Sequence, residues 1–141
     1  MIQIVVKKGK VIAEQVPAPT ISKESIVIQV ANSCISTGTE MSTVKASGAS
    51  LLERAIHQPE NMKKVITMAK TQGPRKALKK IGIALGSPHA IGYSLSGTVV
   101  EIGQNVNDFV VGDRVAAAGA ELANHAEFAD VPKNLVVKIP G

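Results

Sequence analysis

The sequence predicts a mainly β, α+β protein: a β-rich body interrupted by one helical insertion at about residues 42–85. Three observations carry that prediction. Leu95, Gly97, Val99 and Glu101 alternate with Ser96, Thr98, Val100 and Ile102, the period of two expected of a strand. β-Branched side chains crowd this run and residues 25–35, where a pleated surface favours them. After residue 40 the apolar period lengthens. Leu51, Leu52, Ala55 and Ile56 recur at helical spacing, as do Met62, Val65, Ile66 and Ala69, then Ala77, Leu78 and Ile81.

Residues 2–6 (IQIVV) and 11–16 (VIAEQV) read as the strands of a hairpin turned by Lys7-Lys8-Gly9-Lys10. Pro17 and Pro19 end the second strand, because proline has no N–H for a ladder. Residues 25–35 (SIVIQVANSCI) form the next strand. Its buried face carries Ile26, Ile28 and Val30, and Cys34 near its end reads as a small buried hydrophobe. Pro59 and Gly73-Pro74 divide residues 42–85 into three short amphipathic helices, with most lysines and arginines off the apolar stripes. Pro88 closes the insertion. Residues 91–115 read as a β-meander: a strand through Ile102, turn residues 103–107 (GQNVN), a short apolar run, a Gly112-Asp113 turn and a strand from Arg114. Residues 127–131 (EFADV) and 135–139 (LVVKI) are two last short strands.

A chain of 141 residues is long enough for one domain with a substantial core and short for two, so residues 1–141 are expected to form a single domain. Only Tyr93, Phe109 and Phe128 are aromatic, so that core must come from Val, Ile, Leu and Ala. No apolar run approaches the roughly 18 residues of a membrane span. The N-terminal lysines follow the apolar residues, the wrong order for a signal peptide. The single cysteine, Cys34, leaves no internal disulfide and no multi-cysteine zinc site. A cytoplasmic protein with no membrane partner is expected. The formal charge of +5 is concentrated, with nine lysines and arginines between Lys45 and Lys80 against Glu53 and Glu60. That segment has no aromatic residue and no nucleic-acid-binding motif, so a solvated helix face is expected there.

Five pieces now occur in a familiar order: the hairpin, Gly38-Thr39-Glu40 after the long strand, the segment 97–115, residues 123–128 (ANHAEF) and residues 131–140 (VPKNLVVKIP). Together they resemble the N-terminal, GroES-like catalytic domain of medium-chain dehydrogenases/reductases, the zinc-type alcohol dehydrogenase superfamily. The match covers the chain except the insertion, and Glu101-Ile102-Gly103 with Gly112-Asp113-Arg114-Val115 is its most specific part. The insertion, Gly92-Tyr93-Ser94 and ANHAEF resemble, more narrowly, a subgroup of larger oxidoreductases linked to bacterial surface-polysaccharide gene sets. The resemblance implies a GroES-like, partly open β-barrel whose rim forms one wall of a substrate cleft. In the family the other wall is a Rossmann domain that follows in the chain and binds NAD or NADP. No G-x-G-x-x-G follows a strand here, and residues 139–141 stand about where that domain would begin. The chain is therefore expected to be a fragment that lacks its Rossmann domain, holds no cofactor beyond a possible contact from Thr39, and is inactive alone.

In zinc-using members of the family a cysteine follows the long strand, and a Gly-His-Glu supplies further ligands or their support. Here Ser36 stands near the cysteine position, Cys34 lies two residues early, and Gly92-Tyr93-Ser94 replaces Gly-His-Glu. The clustered cysteines of the family's structural zinc lobe are also absent after Val115. No zinc is expected at either site. The resemblance then implies hydride transfer without a metal, with Thr39, Tyr93 and Ser36 as catalytic candidates. Thr39 matches a hydroxyl that relays the alcohol proton, and Tyr93 can donate to a carbonyl oxygen. Each also has a structural reading: Tyr93 as core filler, Ser36 and Thr39 as caps of a following helix with Glu40 in its first turn. Ser94 and His125 are the candidate cleft residues, and His125 has the alternative of bridging backbone groups in a loop. Glu127 reads as structural.

The expected function is the substrate-side domain of a zinc-independent NAD(P)-dependent oxidoreductase acting on an alcohol, carbonyl or sugar-type substrate. If the insertion covers the cleft, Lys63, Lys64, Lys79 and Lys80 suit an anionic sugar. The alternative is a non-enzymatic GroES-like interaction or assembly module, and a polyanion-binding domain ranks behind it. Apolar stripes left without the second domain would favour a homodimer.

Overall fold

The structure, a computed structural model, describes residues 1–49, 67, 71 and 87–140. Most of the insertion expected at 42–85, with the apolar stripes of all three expected helices and every lysine and arginine of the segment but Lys45, lies outside the described residues. Thr67 and Thr71 within it are helical, and Thr71 Oγ1 donates to Thr67 O at 2.9 Å. Among the described residues no helix is long and apolar enough to cross a membrane.

The described strands form two antiparallel sheets. The smaller has the order β2-β1-β4 and the larger β7-β3-β5-β6-β8. Strands β1 (Ile2–Lys7) and β2 (Lys10–Gln15) make the expected hairpin, and β4 (His89–Ala90) pairs with Val5 and Val6 of β1. Lys8 and Gly9 both take positive φ, +50° and +75°, the geometry whose twist matches a two-residue hairpin. In the larger sheet, β3 (Ser25–Ser33) lies between β5 (Ser94–Ile102) and β7 (Phe128–Pro132). Beyond β5 come β6 (Arg114–Ala118) and β8 (Val136–Lys138), the latter entered through a 3₁₀ turn at Lys133–Leu135.

The core is aliphatic, as the shortage of aromatics requires. Ile26, Ile28, Val99, Val115 and Val131 are wholly buried, and Phe109 closes the cluster. The apolar run inside the predicted meander is a loop and not a strand. Val106 and Phe109 drop into the core, whereas Val110 and Val111 stay exposed. Asp113 turns this loop, its Oδ2 accepting the Val110 N–H at 2.9 Å.

Among the described residues the two sheets are joined through the segment before β7 and do not close into a barrel. Gln3 and Ala126 form an isolated bridge, the Ile4 N–H donates to His125 O at 2.8 Å, and the Glu127 N–H donates to Ile2 O at 3.1 Å. Glu127 adds a side-chain bond, its Oε2 accepting the Ile2 N–H at 2.8 Å.

One expectation is met and one needs correction. Helix α1 (Thr37–Gly48) follows Ser36 at its N-cap with Glu40 in its first turn, as the capping reading expects, and none of its residues is buried. It docks on the hairpin through backbone rather than an apolar stripe. A Cβ built on either Gly9 or Gly48 would lie 3.0 Å from the other's Cα, and the Gly9 N–H donates to Ser47 Oγ at 2.9 Å. Cys34 is exposed instead of buried, because it follows the half of β3 that has lost its β7 neighbour and keeps only a backbone bond to Ser94 O.

Candidate functional site

Strand β3 delivers the site. From Ile26 to Gln29 it is paired on both sides, by β5 and by β7. Beyond Val30 the pairing with β7 stops, and Ala31 is an extra residue in the ladder: Val30 faces Gly97, then Asn32 faces Ser96 and Ser33 faces Leu95. One inserted residue reverses which face the following side chains address, which is how bulges re-aim residues at the rim of a sheet. Gly97 makes this crossing feasible, since a Cβ there would sit 2.1 Å from Gln29 O.

The chain opposite Ser33 is held just as firmly. The His125 N–H donates to Ile91 O at 2.9 Å, while its own carbonyl accepts from Ile4. Gly92, at φ +102°, packs so closely that a Cβ would meet His125 N at 2.9 Å. His125 is 8% exposed, and both of its ring nitrogens are engaged. Nδ1 lies 2.8 Å from Ser33 Oγ, and Nε2 lies 3.1 Å from Glu40 Oε1. The same Glu40 oxygen accepts the Ser36 N–H at 3.0 Å. A hydroxyl, an imidazole and a carboxylate thus form one chain across the end of β3, the loop before β7 and the first turn of α1.

Two clefts flank that chain. The first, about 1120 Å³, lies between α1, residues 89–93 and Ala120-Glu121, and its walls include Thr39, Glu40, Thr43, His89, Tyr93 and Glu121. The second, about 810 Å³, is lined by Ser33, Cys34, Ser94 and Ser96 with apolar residues of β6 and β8. The predicted site residues therefore divide. Thr39 and Tyr93 share the first cleft, Ser36 stands behind them with its Oγ 3.3 Å from Thr39 Oγ1, and Ser94 opens on the second. His125 joins one wall of each through Glu40 and Ser33.

Ser36 occupies the N-cap position of α1 without a side-chain cap bond. Its backbone is instead engaged at both ends, the N–H by Glu40 Oε1 and the carbonyl by the Glu40 N–H at 2.9 Å. Local pattern does not mark two members of the hydrogen-bonded chain. Ser33 lies inside a strand whose pattern is apolar alternation, and Glu40 reads as a first-turn charge, which it also is. The Gly-Thr-Glu segment next to a strand end was the available signal, but their partner lies 92 and 85 residues away.

These residues do not fit a zinc ion. Among the described residues no three His, Cys, Asp or Glu side chains converge on a point. Ser36 offers a neutral hydroxyl where a thiolate would be needed, and both His125 nitrogens already have partners.

Similar folds occur among solved structures. A quinone oxidoreductase from Coxiella burnetii matches 98% of this chain at 16% identity and a TM-score of 0.61, which is 36% of its own length. An alcohol dehydrogenase superfamily protein from Novosphingobium aromaticivorans matches 99% at 23% identity and 0.66, over 34% of its length. The galactitol-1-phosphate dehydrogenase of Escherichia coli matches 99% at 17% identity and 0.65, over 38% of its length. The chain thus spans little more than a third of each of these proteins. No match is found among the curated proteins. The sequence profile of the alcohol dehydrogenase GroES-like domain matches residues 68–141, slightly more than half of the chain. This protein belongs to the alcohol dehydrogenase GroES-like domain family.

Proposed function

We propose that this chain is the substrate-side domain of an NAD(P)-dependent oxidoreductase that works without zinc on an alcohol, carbonyl or sugar-type substrate. The observation that carries the reading is that Thr39 and Tyr93 line one cleft of a GroES-like domain. A cleft of this size accommodates a small substrate together with a nicotinamide ring. The cofactor, bound by a second domain, supplies the hydride. Within this chain, Tyr93 donates a hydrogen bond to the substrate oxygen, and Thr39, held by Ser36, passes the proton. The described walls carry Lys45 and His89 against Glu40 and Glu121, so they do not select charge strongly. A preference for an anionic sugar rests on Lys63, Lys64, Lys79 and Lys80 of the insertion.

The test is made on the longest product of the gene. NADH or NADPH binding, followed by fluorescence of the reduced nicotinamide, is the expected result. Thr39→Val and Tyr93→Phe should each lower kcat about 100-fold with the fold unchanged. Failure to bind either cofactor would remove the oxidoreductase reading and favour a non-enzymatic assembly module, for which exposed Ile35, Val110, Val111 and Val137 offer apolar contact area. Stoichiometric zinc in protein purified without added metal would overturn the metal-free mechanism.

A further inference from the structure

The geometry points to Ser33 as an acyl-accepting nucleophile, with His125 as its base, Glu40 as the residue that positions the base, and small activated esters as the substrate class. Three features on the described surface meet the requirements for an activated serine. Nucleophile and base are within hydrogen-bonding reach at 2.8 Å, and the base is oriented by a third group at 3.1 Å. The exposure is graded in the useful sense: Ser33 is exposed on the second cleft, whereas the His125 and Glu40 side chains are only 9% and 13% exposed.

The proton positions follow from the acceptors. A carboxylate only accepts, so Nε2 carries the hydrogen that faces Glu40, and the Nδ1 lone pair faces Ser33 Oγ. The hydroxyl therefore donates to the imidazole, the arrangement that general-base activation needs. The two ring nitrogens are interchanged relative to the familiar serine–histidine–aspartate order, but such constellations are defined by roles and geometry. Backbone bonds to Ile91 and Ile4 and the close approach of Gly92 hold the His125 main chain in place, and Glu40 orients its ring.

The reaction balances without any further reagent. Ser33 Oγ attacks the acyl carbon, the new O–C bond forms, and the ester bond to the leaving oxygen breaks. The hydroxyl proton moves to Nδ1 and then to that leaving oxygen. Water, deprotonated by the same nitrogen, releases the acid and restores Ser33. Leu95, paired directly opposite Ser33, and Ala117, paired with Leu95, lie on the same face of the sheet as Ser33 and offer an apolar wall for a short acyl chain. Neither a second domain nor a nicotinamide takes part, so this site and the oxidoreductase reading stand or fall separately.

The test uses the longest product of the gene and a fluorophosphonate probe. Attack forms an Oγ–P bond, breaks P–F and releases fluoride, and the adduct is located by intact mass and peptide mapping. The expected result is one adduct per chain, on Ser33, and none in Ser33→Ala, which removes an exposed hydroxyl and leaves the core untouched. His125→Gln should slow labelling about 100-fold or more. Glu40→Gln should slow it by a smaller factor and release the imidazole from a single tautomer, read by ¹⁵N NMR of the ring. p-Nitrophenyl acetate should give a burst of one nitrophenol per chain. An unlabelled Ser33 in the wild-type chain, or an adduct on another serine, overturns the proposal whatever the variants do. Equal labelling rates in wild type and a folded His125→Gln would overturn it too, reducing the chain of bonds to a tie between elements.

Discussion

Strand β3 changes character half-way along its length, and the two halves answer to different constraints. Ser25, Ile26, Val27 and Ile28 are all buried, flanked by β5 on one side and β7 on the other. Ala31, Asn32 and Ser33 are exposed and keep only the β5 neighbour. The first half holds the sheet together, and the second half presents polar groups at its rim. Ser33, open to a cleft, lies only five positions after the wholly buried Ile28. The difference shows how a small β domain secures a rim site: the strand is anchored at one end by apolar packing, then freed at the other by a bulge and the loss of one partner.

The sharpest way to break this comparison is to substitute at each end. Ile28→Ala removes a wholly buried side chain from the centre of the core and should destabilise the domain by about 4 kcal/mol, measured by urea unfolding. Gly97→Ala acts at the junction between the halves, where its Cβ would collide with Gln29 O. A loss of about 3 kcal/mol is expected, with β3–β5 amide protection lowered in hydrogen exchange. Ser33→Ala should cost about 1 kcal/mol or less, because an exposed hydroxyl leaves His125 Nδ1 within reach of water. A loss from Ser33→Ala equal to that from Ile28→Ala would show that the rim is part of the core's cooperative unit.

The smallest effect is electrostatic and lies on the far side of the same sheet. Asp113 Oδ2 accepts from Lys138 Nζ at 2.9 Å, and Lys138 also lies 5.6 Å from the centre of the Phe109 ring. The Lys138 hydrogen bond, then the Val110 N–H, hold the Asp113 carboxyl below its ordinary value of 3.8. A group whose folded pKa is depressed contributes stability above its unfolded pKa, and loses it as pH falls through the folded value. The window is therefore below 3.8, and the contribution is screened by solvent. Lys138→Met should move the Asp113 titration upward, followed by carboxyl ¹³C NMR, and leave stability at neutral pH almost unchanged.

Much of the body was legible residue by residue. Alternation in 94–102 and the β-branched run from Ser25 located β5 and β3, and Lys8-Gly9 located the hairpin turn. Phe109 was harder, because burial from a loop has no period: its neighbours Val110 and Val111 are equally apolar and stay exposed. The start of α1 was legible in Ser36 with Glu40 in the first turn, but its docking was not, since its residues show no apolar stripe and Gly48 meets Gly9. Cys34 was misplaced for a related reason. Composition says that a free cysteine is usually buried, but where a strand leaves its sheet is a property of the neighbouring strands.

The sequence by itself determined the mainly β body, the aliphatic core and the family, because periodicity, turn residues and a motif such as Gly112-Asp113-Arg114-Val115 are local in the chain. The tertiary structure alone decided which polar groups meet. Ser33, Glu40 and His125 come together through an extra residue in β3, a helix entry and a loop clamped by Ile4 and Ile91. Pairing across more than eighty residues leaves no trace in local pattern, since it depends on how the strands are registered and not on what each strand contains.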